Sequence, residues 1–108
     1  MKPSEYQHLA SRTARRDLNS NIRLAVASLG LTGESGEVAE IVKKYLGHNH
    51  PLNHVKLKEE LGDVMWYIAE VCNVMDWDMG DVMNDNVEKL RARYPKGFDE
   101  VVSRSRYE

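Results

Sequence analysis

HVKLKEELGDVMWYIAEVCNVM, residues His54–Met75, places apolar side chains at Leu57, Leu61, Val64, Met65, Ile68, Val71, Cys72 and Met75. Steps of three and four residues are the period of one face of an α-helix. Asn53, just ahead of the run, offers a side-chain oxygen for the N-terminal cap. Glu60, Asp63 and Glu70 fall beside the apolar stripe. A long amphipathic helix over His54–Met75 is therefore the frame that the neighbouring segments must fit.

Working upstream, Gly47–Asn53 is a short connection containing Pro51, which favours an antiparallel helical hairpin. Ile22, Ala25, Val26, Leu29, Val38, Ile41, Val42, Tyr45 and Leu46 recur at three and four and predict the other arm, from about Ile22 to Gly47, capped by Ser20 or Asn21. Gly30, Gly33 and Gly36 interrupt that arm, each at up to ~1 kcal/mol relative to alanine. Close packing on a neighbouring helix explains them, and so does room for a ligand beside Glu34 and Glu37. They match neither GxGxxG nor a P-loop, and no strand precedes them.

Ser4 and Gln7 resemble a capping box after Pro3 and predict a first helix over Glu5–Arg16, followed by a turn at Asp17–Asn21. Downstream, Asp78 and Asp81 open a fourth helix that carries Val82, Val87 and Leu90 and ends before Pro95. Phe98 and Val101 are expected to pack down, and Ser103–Glu108 to form a solvated tail. The fold class is all-α: a four- to five-helix bundle with an antiparallel central hairpin, one domain over residues 1–108.

The length of 108 residues fits one domain, and a net charge of −2 gives no basic footprint for a nucleic-acid backbone. The lone Cys72 excludes an intramolecular disulfide and reads as a buried hydrophobe in a reducing compartment. No apolar run approaches the ~18 residues of a membrane span, and the first residues lack a signal peptide's apolar core. The expectation is a cytoplasmic protein with no membrane partner. His48, His50 and His54 sit around a proline-interrupted loop without a cysteine, a poor zinc set.

The chemistry concentrates in GLTGESGEVAEIVKK, Gly30–Lys44, where Glu34, Glu37 and Glu40 form one ridge at intervals of three. Glu60 and Asp63 repeat the interval on the opposite arm. At 1.5 Å rise per residue, Glu37 and Glu34 lie roughly 14 and 18 Å from the bend, and Glu60 and Asp63 about 10 and 14 Å. Facing each other, these four carboxylates converge. Two like charges 4 Å apart at an effective dielectric of 20 repel by about 4 kcal/mol, so protonation, solvation or a divalent cation must compensate. All-oxygen ligation suits Mg²⁺ or Mn²⁺ better than zinc. The plain alternative is ordinary acids on wet helix faces in a chain that is 30% charged, the reading preferred for Glu40, Glu59 and Glu70.

Taken together, GLTGESGEVAEIVKK, EELGDVMWYIAEV and NVEKLRARYPKGF resemble the MazG-like nucleoside triphosphate pyrophosphohydrolases. This all-α superfamily includes dimeric dUTPases and other house-cleaning enzymes, and the resemblance runs from Tyr6 to Phe98. It implies Mg²⁺, or Mn²⁺, on Glu34, Glu37, Glu60 and Asp63, with Glu37, Glu60 and Asp63 as the catalytic set. It also implies hydrolysis of a nucleoside triphosphate at the α–β linkage, giving monophosphate and pyrophosphate, by metal-activated water.

Asn86, Lys89 and Arg93 fall on the family's N-x-x-K-L-x-x-R-Y-P element and are the implied phosphate contacts. Tyr67, four residues past Asp63, is the better base-side residue, whereas Trp66 suits a core or an interface equally. Gln7 and Thr13 fall on family letters without an assigned chemistry. Members assemble as dimers or tetramers, and the sparse apolar content of the first helix agrees with a homo-oligomer, tetramer preferred over dimer. A ferritin-like di-iron bundle needs two facing Glu-x-x-His motifs, and this chain has only Glu5 with His8. The alternative within the same fold is a non-catalytic helical interaction or regulatory module.

Overall fold

The structure is a computed structural model that describes residues 1–107. It contains α1 (Pro3–Ser11), α2 (Ser20–Gly47), α3 (His54–Met75), α4 (Met79–Arg93) and α5 (Glu100–Ser105). No β-strand forms among the described residues; a single bridge joins Pro95 and Gly97. No described helix is long and apolar enough to cross a membrane.

The arms of the hairpin pair antiparallel. Arg23 meets Glu70, Gly30 meets Tyr67, and Glu34 meets Asp63, so the partner number on α3 falls as the number on α2 rises. Asparagine caps set both starts: Asn19 accepts from the Ile22 N–H at 2.9 Å, and Asn53 from the Lys56 N–H at 3.0 Å. The α2 cap is thus Asn19, ahead of both expected candidates, Ser20 and Asn21. At the far end of α3, Asp76 adopts a left-handed conformation at φ 58° and turns the chain toward α4.

The first helix departs from expectation at both ends. Lys2 occupies the cap position without a side-chain bond, and Pro3 starts the helix. Gln7 forms no capping box with Ser4. Its side chain instead donates to Asn73 Oδ1 at 2.9 Å and to the Trp77 carbonyl at 2.7 Å, and accepts from the Met79 N–H at 2.7 Å. One amide thereby ties α1 to the end of α3 and the start of α4. The helix stops at Ser11 rather than Arg16. There the Ser11 and Thr13 hydroxyls bond back to the His8 and Ala10 carbonyls, the local competition that ends helices.

Near the C-terminus, part of the expected tail is helical. Asp99 accepts from the Val101 and Val102 N–H groups and nucleates α5; Glu108 lies outside the described residues. Phe98 does not pack down and is 74% exposed, with its ring 5.5 Å from that of Tyr94. Val101 is also largely exposed.

The buried apolar residues are small: Ala10, Ala27, Ala69 and Cys72, with Met79 the one large side chain among them. Leu29, Leu46 and Val55 are largely exposed. The radius of gyration is 17.1 Å, against about 13 Å expected for a compact chain of this size. Glu70 corrects another expectation, because it is buried instead of solvated. Its carboxylate is bound by Arg23, Nη2 to Oε1 at 2.8 Å, and the antiparallel register is what brings the two together. Burial of a carboxylate demands such a partner.

Of the three glycines in α2, Gly30 is the crowded one: an added Cβ would overlap the Tyr67 ring. Gly33 and Gly36 meet nothing within 4 Å. Gly30→Ala is expected to lower stability by about 1–3 kcal/mol through overpacking, seen as a lower urea midpoint, despite alanine's better helix propensity. An unchanged midpoint would mean that Tyr67 moves aside freely.

Candidate active site

The hairpin brings together Glu34 of α2 with Glu60 and Asp63 of α3, with one carboxylate oxygen from each lying within 4.8 Å of the others. Glu60 is buried, Glu34 half-buried and Asp63 exposed. Glu34 Oε2 is buried without a hydrogen-bond partner. Such an orphaned acceptor beside two further carboxylates needs a positive charge or a proton. Close contact with Glu60, partial burial, and repulsion from Glu60, Asp63 and Glu37 push the Glu34 pKa up to about 7. Glu60 shifts down, held by that same contact and by Lys56, whose Nζ lies 2.9 Å from its Oε1.

Glu37 stands outside the threefold cluster. It advances about 4.5 Å along α2 from Glu34 and stops roughly 60° short of a full turn. Its exposed side chain lines a neighbouring cleft with Glu40, Lys44, His50 and Lys56. The structure therefore joins three of the four expected carboxylates. Glu40 is occupied by Lys43 at 3.0 Å, and Glu59 is exposed, as expected for solvated acids.

On the other side of the cluster, Thr13, Trp66 and Tyr67 line a cleft with Glu34 and Asp63. The two aromatic rings meet edge to face, 5.0 Å apart at 83°. The Trp66 indole N–H donates to Thr13 Oγ1 at 2.8 Å, which pins the chain after α1 against α3. Behind these rings lies a mostly apolar cavity of about 160 Å³, walled in part by Leu18 and Val26 and by the Arg23–Glu70 pair.

The expected phosphate contacts lie elsewhere in the chain. α4 packs chiefly against α1, Asn86 and Lys89 are exposed, and Arg93 is half-buried. Among the described residues no hydrogen bond or ion pair joins any of the three to the acidic cluster. Lys56 joins the site without having been among the expected residues, and its spacing of four from Glu60 is the sequence signal for it. Gln7 and Thr13 acquire their roles only in the fold, since no sequence signal pairs a glutamine with groups 66 to 72 residues away.

An oxygen-only donor set around an unpartnered carboxylate oxygen suits a hard divalent cation. A family model for the MazG nucleotide pyrophosphohydrolase domain matches residues 25–98, which contain all three clustered acids. The chain belongs to the MazG nucleotide pyrophosphohydrolase family. It is also similar to the Gene 37 protein of Mycobacterium phage L5, 39% identical over 100 residues, which cover 85% of this chain and 88% of that one. No solved structure matches the chain. The MazG match and the all-helical architecture agree with the expected fold class, and the match covers α2 from Ala25 onward, α3 and α4.

Proposed function

We propose that this chain is a Mg²⁺-dependent nucleoside triphosphate pyrophosphohydrolase, cleaving the α–β linkage to a monophosphate and pyrophosphate. The observation that carries the reading is the Glu34–Glu60–Asp63 cluster, with its unpartnered buried oxygen, inside the segment matched by the MazG family. In this reading Glu34, Glu60 and Asp63 hold Mg²⁺, or Mn²⁺, and Glu37 completes the set from the adjacent turn. Bound there, the cation supplies neutralisation of phosphate oxygens and acidification of water. Glu37, Glu60 and Asp63 fix the reacting groups in place, and Tyr67 presents its ring to the base.

Asn86, Lys89 and Arg93 reach the phosphates from a neighbouring subunit. Two observations support an assembly, tetramer preferred over dimer: the extended shape of the single chain, and apolar side chains such as Leu29 and Leu46 left open on α2. The chain acts as one domain over residues 1–108, in the cytoplasm, without nucleic-acid or membrane partners.

The test is a panel of canonical and modified triphosphates with Mg²⁺, followed by ³¹P NMR. Monophosphate plus pyrophosphate is expected. Diphosphate plus phosphate sinks the reading, and no turnover with any substrate or metal leaves the non-catalytic module. Light scattering during gel filtration checks the assembly, where a monomeric mass contradicts it.

Metal binding is expected to depend on pH. Unfolded Glu34 titrates near 4.5 and the folded group near 7, so between those values the native chain holds a proton that the unfolded chain has lost. The contribution of this group to metal-free stability therefore falls as pH rises from 4.5 to 7. The depressed Glu60 pKa acts in the acid range below that window. Mg²⁺ replaces the Glu34 proton, so binding at pH 6 releases up to about one proton and binding at pH 8.5 close to none. Calorimetry in buffers of different ionisation enthalpy measures this directly; equal release at both pH values contradicts it.

A further inference from the structure

We infer that the cleft at the start of α4 receives the Phe98–Arg106 segment of a second copy of this chain, with the two copies exchanging segments about a twofold axis. The inference does not depend on the hydrolytic reading; it specifies one contact of the assembly proposed above. Asp76, Trp77, Asp78, Asp81, Val82 and Asp85 line a cleft of about 450 Å³, roughly the volume of fifteen water molecules. Trp77 and Val82 are both exposed, Trp77 by 52%. An apolar wall and several carboxylates therefore share one opening.

Nothing nearby in the chain balances that charge. No lysine, arginine or histidine occurs from Asn73 to Val87. Asp78 commits one oxygen to the Gly80 and Asp81 N–H groups, while Asp76, Asp81 and Asp85 make no side-chain hydrogen bond or ion pair among the described residues. The positive end of the α4 dipole accounts for acids in its first turn. Asp76 precedes that helix and Asp85 lies beyond its first turn, so the dipole leaves both unexplained.

The complementary surface lies at the other end of the same helix. Gly97, at φ 89°, turns the chain after α4 and leaves Phe98 and Val101 largely exposed. The packed helix pairs join α2 to α3 and α1 to α3 and α4, and α5 is not among them. Lys96, Arg104 and Arg106 are exposed and form no ion pair among the described residues. Asp99 is taken up as the α5 cap, which leaves Glu100 as the free acid of the segment. α4 is 15 residues long, about 22 Å, and the four residues after Tyr94 reach at most about 14 Å. Phe98 therefore cannot reach Trp77 of its own chain, whereas the cleft of a neighbour is open to it. Exchange about a twofold axis makes every contact twice: each Phe98 ring is buried against Trp77 and Val82, and Lys96, Arg104 and Arg106 meet the aspartates.

Sedimentation velocity over a dilution series tests the contact, together with fluorescence in a Trp66→Phe background, where Trp77 is the one remaining indole. Phe98→Ser is expected to weaken association about tenfold per contact and about a hundredfold for the pair, and to abolish the blue shift of Trp77 emission that accompanies association. Asp85→Lys is expected to weaken association comparably, and 1 M salt to weaken that of the wild type several-fold. Both substituted positions are exposed, so circular dichroism is expected to be unchanged. Mixed together, Phe98→Ser and Asp85→Lys copies are expected to associate more tightly than either does with itself, because one intact segment then meets one intact cleft. Association equal to wild type in both variants overturns the proposal, as does a mixture no tighter than its components; either result leaves an assembly through other faces standing. A monomeric wild type removes the contact and the assembly together. If that monomer shifts its Trp77 emission on addition of a lysine-rich peptide, the cleft belongs to a foreign cationic partner and the proposal is equally overturned.

Discussion

Asp63→Asn is expected to lower kcat/KM by about a hundred- to a thousandfold while leaving helicity and thermal midpoint unchanged. Asp63 is exposed and makes no side-chain hydrogen bond or ion pair among the described residues, so the fold does not depend on it. It nevertheless presents an oxygen to the same small volume as Glu34 and Glu60. The amide keeps the shape and removes the charge, which separates ligation from packing. Removing the Asp63 charge also relieves its repulsion of Glu34 and Glu60 in the metal-free protein, so any change in stability is expected to be upward. Glu37→Gln is expected to cost less, about ten- to a hundredfold, because that side chain must leave the Lys56 side of α2 to join the cluster. Steady-state kinetics with Mg²⁺, paired with circular dichroism, reads both variants. Full activity in both would place the chemistry outside this cleft.

The hairpin was legible because two strong local signals agree. The apolar period of His54–Met75 fixes one arm and its facing side, and a short Pro51-containing connection fixes the direction of the other. Once the register is antiparallel, Glu34 has to lie near Glu60 and Asp63. Glu37 shows where that logic stops. Register places a Cβ, but the last few ångströms depend on side-chain rotation and on what occupies the cleft.

Glu70 marks a different limit. A carboxylate beside an apolar stripe is ordinarily wet, and nothing local distinguishes one that has an arginine waiting 47 residues upstream. Gln7 shows a third, since a glutamine three residues after Ser4 satisfies the letters of a capping box while its amide closes a three-helix junction. Phe98 exposes the same weakness for apolar residues: hydrophobicity states a need for burial, not that one chain supplies it.

The Arg23–Glu70 pair carries the largest expected stability effect. Glu70 is only 6% exposed, and Arg23 reaches it from α2 with Nη2 at 2.8 Å and Nε at 3.4 Å. Arg23→Ala leaves that carboxylate buried without its cation, which costs about 3 kcal/mol. Domains of this kind hold about 5–15 kcal/mol in total, so the urea midpoint is expected to fall steeply. The loss reflects an abandoned charge more than a strong attraction, because forming a buried pair already costs both partners their hydration. The double variant Arg23→Met with Glu70→Leu is therefore expected to recover most of the stability lost by Arg23→Ala, a coupling that a double-mutant cycle isolates. Its activity need not recover, since the pair also borders the apolar cavity behind Trp66 and Tyr67. An Arg23→Ala midpoint equal to wild type would mean that Glu70 finds water in solution, as its sequence context alone suggests.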